Sequence, residues 1–134
     1  MMPNYPRLLA VIPCEDASVS AGIGDNRVSL QRVFFEVYAD KFPASFAKLV
    51  VCALWTGGEG SHTSTIRVKD PDGNELASGQ TSIECRPEPT TVFQIVYFSM
   101  LIFPKPGKYQ VEVSLNGTPV HTSPLHVIKV GEGG

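Results

Sequence analysis

The chain has 134 residues, 43% of them apolar and 18% charged, with 11 Lys and Arg against 13 Asp and Glu and a formal net charge of -2. That length suits one domain over residues 1–134 with a sizeable core, and the composition is too apolar for disorder. The charge balance offers no positive field to a phosphate backbone, so nucleic acid is not expected as a partner.

The opening residues hold one apolar run, Leu8 to Ile12, shorter than a signal-peptide core and far short of a membrane span. It reads as part of a strand from about Arg7 to Cys14. Pro13 stands where a lipoprotein signal needs a small residue before the cysteine, so no secretion, anchoring or membrane association is expected. Cys14, Cys52 and Cys85 are too scattered for a metal knuckle or redox pair, and a reduced, cytoplasmic protein fits them best.

Glu15-Asp16 reads as a loop. A second strand is expected from about Val28 to Tyr38, entered through a loop at Ile23-Gly24-Asp25-Asn26. Phe42-Pro43 then interrupts, because proline cannot donate to a central ladder. Lys48 to Thr56 is apolar on both faces, with Leu49, Val51, Ala53 and Trp55 on one and Val50, Cys52 and Leu54 on the other. Such a strand is covered on both sides or lies at an interface.

Thr56-Gly57-Gly58-Glu59-Gly60-Ser61 reads as a flexible loop, followed by a strand from His62 to Lys69. Asp70-Pro71-Asp72-Gly73-Asn74 then carries the residues of a tight hairpin turn, since proline presets the first turn position and glycine accepts positive φ. A strand from Glu75 to Cys85 leads through the extended connector Arg86-Pro87-Glu88-Pro89 into a long apolar strand, Thr91 to Phe103. There Phe93, Ile95 and Tyr97 share one face, Val96, Phe98, Met100 and Ile102 the other, with a bulge or bend between the two sets. Pro106-Gly107 turns the chain into the clearest alternation of all, Tyr109, Val111, Val113 and Leu115, and Asn116-Gly117 closes a hairpin onto a last strand, Thr118 to Val130.

No stretch has a helical period. These strands predict an all-β fold, an antiparallel two-sheet immunoglobulin-like sandwich of about seven to nine strands, in preference to a closed barrel. The cysteine and tryptophan spacing of disulfide-bonded antibody domains is absent, since Trp55 comes far too late after Cys14.

In order along the chain stand Pro6-Arg7-Leu8-Leu9-Ala10, Phe42-Pro43, the Thr56 to Gly60 loop, Val68-Lys69-Asp70-Pro71-Asp72-Gly73, and Phe103-Pro104 followed by Pro106-Gly107-Lys108-Tyr109. In these pieces the whole chain resembles a family of bacterial immunoglobulin-like β-sandwich proteins of about this length, domains of unknown function. The resemblance implies the fold and brings no activity with it.

Gly57-Gly58-Glu59-Gly60 is followed by a strand, whereas a phosphate cradle opens a helix. Asp70, Asp72 and Asn74 alternate as the first oxygen ligands of a calcium loop do, and they are the sharpest single-site candidate. The plainer reading is that they bond their own turn, because Glu75 is adjacent and not distant enough for a bidentate acid; no metal and no cofactor is expected. His62, His121 and His126 lack the short spacing of zinc ligands. No nucleophile motif occurs, and adjacent acids such as Glu15-Asp16 point opposite ways on an extended chain. Trp55, Phe93 and Tyr97 lie in apolar runs and are expected in the core.

The surplus of apolar residues in Phe34-Phe35 and in Phe98 to Phe103 points to a self-association face. The expectation is therefore not an enzyme but a non-catalytic protein-binding or structural module, with a protein partner or a homodimer. The alternative is a small-ligand or calcium-dependent binding module using the 57–61 and 70–75 loops.

Overall fold

The computed structural model describes residues 4–20, 26–87 and 90–131. Its regular structure is all β: ten strands, β1 (Arg7–Cys14), β2 (Asp16–Val19), β3 (Val28–Gln31), β4 (Glu36–Ala39), β5 (Ala44–Thr56), β6 (Gly60–Lys69), β7 (Glu75–Cys85), β8 (Thr91–Phe103), β9 (Gly107–Leu115) and β10 (Thr118–Lys129). One sheet has the order β1-β5-β8, a second β4-β10-β9-β6-β7, and β2-β3 form a small third sheet. Among the described residues no helix is long and apolar enough to cross a membrane.

The alternation seen in sequence builds the core. Leu49, Val51, Ala53 and Trp55 from β5 and Val96 and Phe98 from β8 meet Ile66, Val68, Tyr109, Val111, Val113, Leu125 and Val127 of the five-stranded sheet in one buried cluster. At β7 the five-stranded sheet curls onto the edge of β8, where Gly79 receives the side chain of Val96. The opposite, outward face of β5 is also covered: Val50 packs with Cys14 and Ala17, with Leu30 and Ile95 around them, so the β2-β3 hairpin lies over it. Both apolar faces of β5 are thus buried within one chain.

Several expectations need correction. The described residues form ten strands, not seven to nine, because two short ones were not foreseen as separate elements. Asp16 opens β2 and does not lie in a loop. The stretch Val28 to Tyr38 is two strands, broken after Gln31 where Arg32 takes a left-handed φ of 56°. The fold is not wholly antiparallel, since β4 runs parallel to β10. The reversal in β8 falls inside the second apolar set: Met100 has φ 54°, after which Leu101 and Phe103 are buried while Met100 and Ile102 face out. Tyr97 is 51% exposed and no core residue; its hydroxyl donates to the Ala17 carbonyl, and the Lys48 ammonium lies over its ring. Residues 23–25 and 88–89 of the two expected connectors lie outside the described residues.

Candidate functional site

The turn between β6 and β7 holds Asp70, Asp72 and Asn74, and every acid there already has a partner. Asp70 Oδ1 accepts from the backbone N–H of Asp72 and of Asn74, both at 2.9 Å. These bonds, the Asn74 N–H first, hold the Asp70 carboxyl below its ordinary value. Asp72 Oδ2 accepts from Lys105 Nζ at 2.7 Å. A cation stands where calcium would need oxygen, and the carboxylates do what short polar side chains do in turns.

The loop before β6 passes from one sheet to the other and is no hairpin. Gly58 sits at φ +83°, and a Cβ there would lie 2.7 Å from the Pro6 nitrogen. The Gly57 N–H donates to the Thr90 carbonyl and the Glu59 N–H to the Asn4 carbonyl. These amides serve the chain itself, and the glycines make room for residues 4–6. The 57–61 and 70–75 loops flank the two ends of β6, roughly 30 Å apart at the rise of an extended strand. They cannot form one ligand site, which corrects the small-ligand alternative.

The histidines do not converge. The His62 ring bonds Asn116 Nδ2 and the Glu59 carbonyl and meets the Tyr5 ring edge-on, His121 bonds Ser123, and His126 lies beside Glu36 in the β10-β4 pair. Among the described residues no three His, Cys, Asp or Glu side chains gather as a metal site requires. All three cysteines are free and buried. Burial pushes the Cys52 thiol up to about 11.

The outer face of the five-stranded sheet is a lattice of charge: Arg67 with Glu75 and Glu112, and Lys69 with Glu112. Uncovered apolar surface lies around the start of β5, and another depression, lined by Tyr5, Leu115 and Val120, lies at the β9-β10 turn. At the start of β5 a shallow depression of about 260 Å³ runs from Glu15, Arg32 and Val33 past Phe34 to Val37, Tyr38 and Phe46. A second, about 350 Å³, shares Glu15 and Phe46 and continues over Ala47 and Lys48. The rings of Phe34 and Phe46 are 5.5 Å apart, and Phe46 leans on Phe103 at 6.3 Å. Exposed Val33 and Tyr38 line the depression at Phe34, and exposed Phe35 follows Phe34 along the same segment.

Arg32, with its left-handed φ, lies in this lining. β4 is also an edge. The Phe35 and Ala39 carbonyls accept from the His126 and Val130 N–H groups, so alternate backbone groups turn toward β10 and those of Glu36 and Tyr38 turn away. Among the described residues no strand pairs with that side of β4.

The sequence pattern of a family of unknown function, DUF6941, matches residues 9–128. The chain belongs to the DUF6941 family. Its matched span runs from within β1 to within the last residues of β10 and takes in the whole depression. No curated protein matches the chain.

Sequence reasoning located the apolar surplus of this DUF6941 chain at Phe34-Phe35 and along Phe98 to Phe103, and the structure brings the two stretches to neighbouring positions through Phe46. It missed the free edge of β4. No local signal announces that edge, because the stretch around it reads as one continuous strand.

Proposed function

We propose that this DUF6941 protein is a non-catalytic protein-binding module of immunoglobulin-like build, which meets its partner through the apolar depression and free edge at β4. The single observation behind this reading is the depression itself: Val33 and Tyr38 are exposed around half-buried Phe34 and Phe46, beside the outward backbone groups of Glu36 and Tyr38. Edge strands with free donors and acceptors are sites at which a second chain adds a strand, and adjacent hollows supply side-chain specificity.

The immunoglobulin-like part of the reading is supported by strand order. β1, β5 and β8 correspond to the A, B and E strands of such a sandwich, and β10, β9, β6 and β7 to G, F, C and C′. The Tyr109 hydroxyl, early in the penultimate strand, donates to the Lys105 carbonyl four residues back at 2.7 Å, as in a tyrosine corner. The bacterial and cytoplasmic setting belongs to the same proposal, and three unpaired, buried thiols suit a reducing compartment.

The test is photo-crosslinking in cells. A photoreactive residue replacing Tyr38 is compared with one replacing Ser78, which is exposed on the opposite edge strand β7. Protein adducts from position 38 and not from position 78 are expected; equal yields, or none at either, contradict the reading.

A further inference from the structure

We propose that the chain seated on β4 is a second copy of this protein, paired antiparallel about a two-fold axis at Val37. The inference rests on the binding role assigned above and names its partner.

An isologous contact presents the same surface twice, so the surface must complement itself. β4 does so in its backbone. Residues 36 and 38 carry the outward N–H and C=O groups, and an axis through Val37 sets Glu36 of each copy opposite Tyr38 of the other. Each such pair can exchange both N–H···O bonds, as antiparallel partners do. The two five-stranded sheets then join in one continuous sheet, and both edges disappear.

The side chains agree. Within one chain the Tyr38 hydroxyl already donates to Glu36 Oε1 at 3.0 Å, and the seam offers the same donor and acceptor to the other copy. The same register brings residues 32–35 of each copy alongside residues 39–42 of the other. Arg32, its side chain 80% exposed and only 4.0 Å from its own Glu15, is carried toward the exposed Asp40 of the second copy. That complementarity occurs twice about the axis. Phe35, 44% exposed, comes to face Ala39. A partner with a uniformly charged strand would match only half of this rim, whereas a second copy matches all of it.

The experiment is solution mass by light scattering after gel filtration, over a hundredfold range of concentration, on the full chain and two variants. Tyr38→Pro removes one outward N–H and none of the bonds to β10, so it leaves the fold intact by circular dichroism and yields a monomer. Arg32→Glu weakens the dimer, and adding Asp40→Arg restores it, a readout that holds should the proline variant fail to fold. The expected result is a dimer mass for the unaltered chain, lost and regained in that order. A monomer at every concentration overturns the second-copy inference, as does a dimer indifferent to both changes. If that monomer still forms adducts with another protein from position 38, the binding reading survives without this partner; if it forms none, both fall.

Discussion

A Cβ placed on Gly79 would collide with Cγ1 of Val96, so the curled edge strand β7 rests on β8 only because residue 79 has no side chain. The backbone there needs no left-handed φ; the requirement is space. Gly79→Ala is therefore expected to destabilise the fold by about 1–3 kcal/mol, the usual cost of overpacking. Val96→Ala in the same chain should return part of that loss. Urea unfolding of the two single variants and the double variant checks it, since neighbours that share one clash are not additive.

Trp55 Nε1 donates to Gln94 Oε1 at 3.0 Å, and Gln94 Nε2 donates to the Ser64 carbonyl at 3.3 Å, deep between the sheets. Gln94 is 1% exposed. Replacing Gln94 by Leu leaves the Trp55 indole N–H buried without a partner. The expected loss is about 1–3 kcal/mol, measured by denaturant unfolding with Trp55 as the fluorescent probe.

Burial raises the Cys52 thiol from its ordinary 9.0 to about 11. A group whose folded value lies above its unfolded value contributes stability that is complete below the unfolded value and lost as pH rises through the folded one. Stability should thus fall between about pH 9 and 11, by on the order of 2 kcal/mol. Cys52→Ala should flatten that decline while lowering stability at pH 7. At pH 8 all three buried thiols should react with a thiol reagent only on unfolding.

Asp70 shows the opposite sign. Its carboxyl, held low by the Asn74 and Asp72 N–H groups, contributes stability above the ordinary carboxylate value of 3.8, which is lost as pH falls through the lowered folded value. Asp70→Asn should lower the melting temperature at pH 7 and make little difference in strong acid. Because Lys105 already occupies Asp72, calcium should leave the melting temperature of the unaltered chain unchanged; an upward shift would return calcium to consideration.

Much of this architecture was legible in the sequence. Arg7–Cys14, Glu75–Cys85 and Thr91–Phe103 are bounded by turn-forming residues and carry enough apolar alternation to fix their extent. The Asn116-Gly117 hairpin and the Asp70 turn follow from local chemistry alone. The break at Arg32 and the reversal at Met100 did not, since a left-handed arginine or methionine has no side-chain signature and is imposed by packing. Asp16-Ala17-Ser18-Val19 is too polar to announce a strand, and becomes one by pairing with Val28–Gln31 across the hairpin. The parallel contact of β4 with β10 joins residues some ninety positions apart. The candidate surface inherits that difficulty: its apolar members were visible, but their meeting around Phe46 is a product of three distant segments.

The most direct test of β4 as a contact edge is amide hydrogen exchange at Tyr38, resolved by residue and followed as protein concentration rises. The Tyr38 and Glu36 amides should exchange quickly in dilute protein and slow markedly as the second copy binds, while the Val37 amide, turned toward β10, is protected throughout. Fast exchange at Tyr38 and Glu36 at every concentration would contradict a contact through this edge.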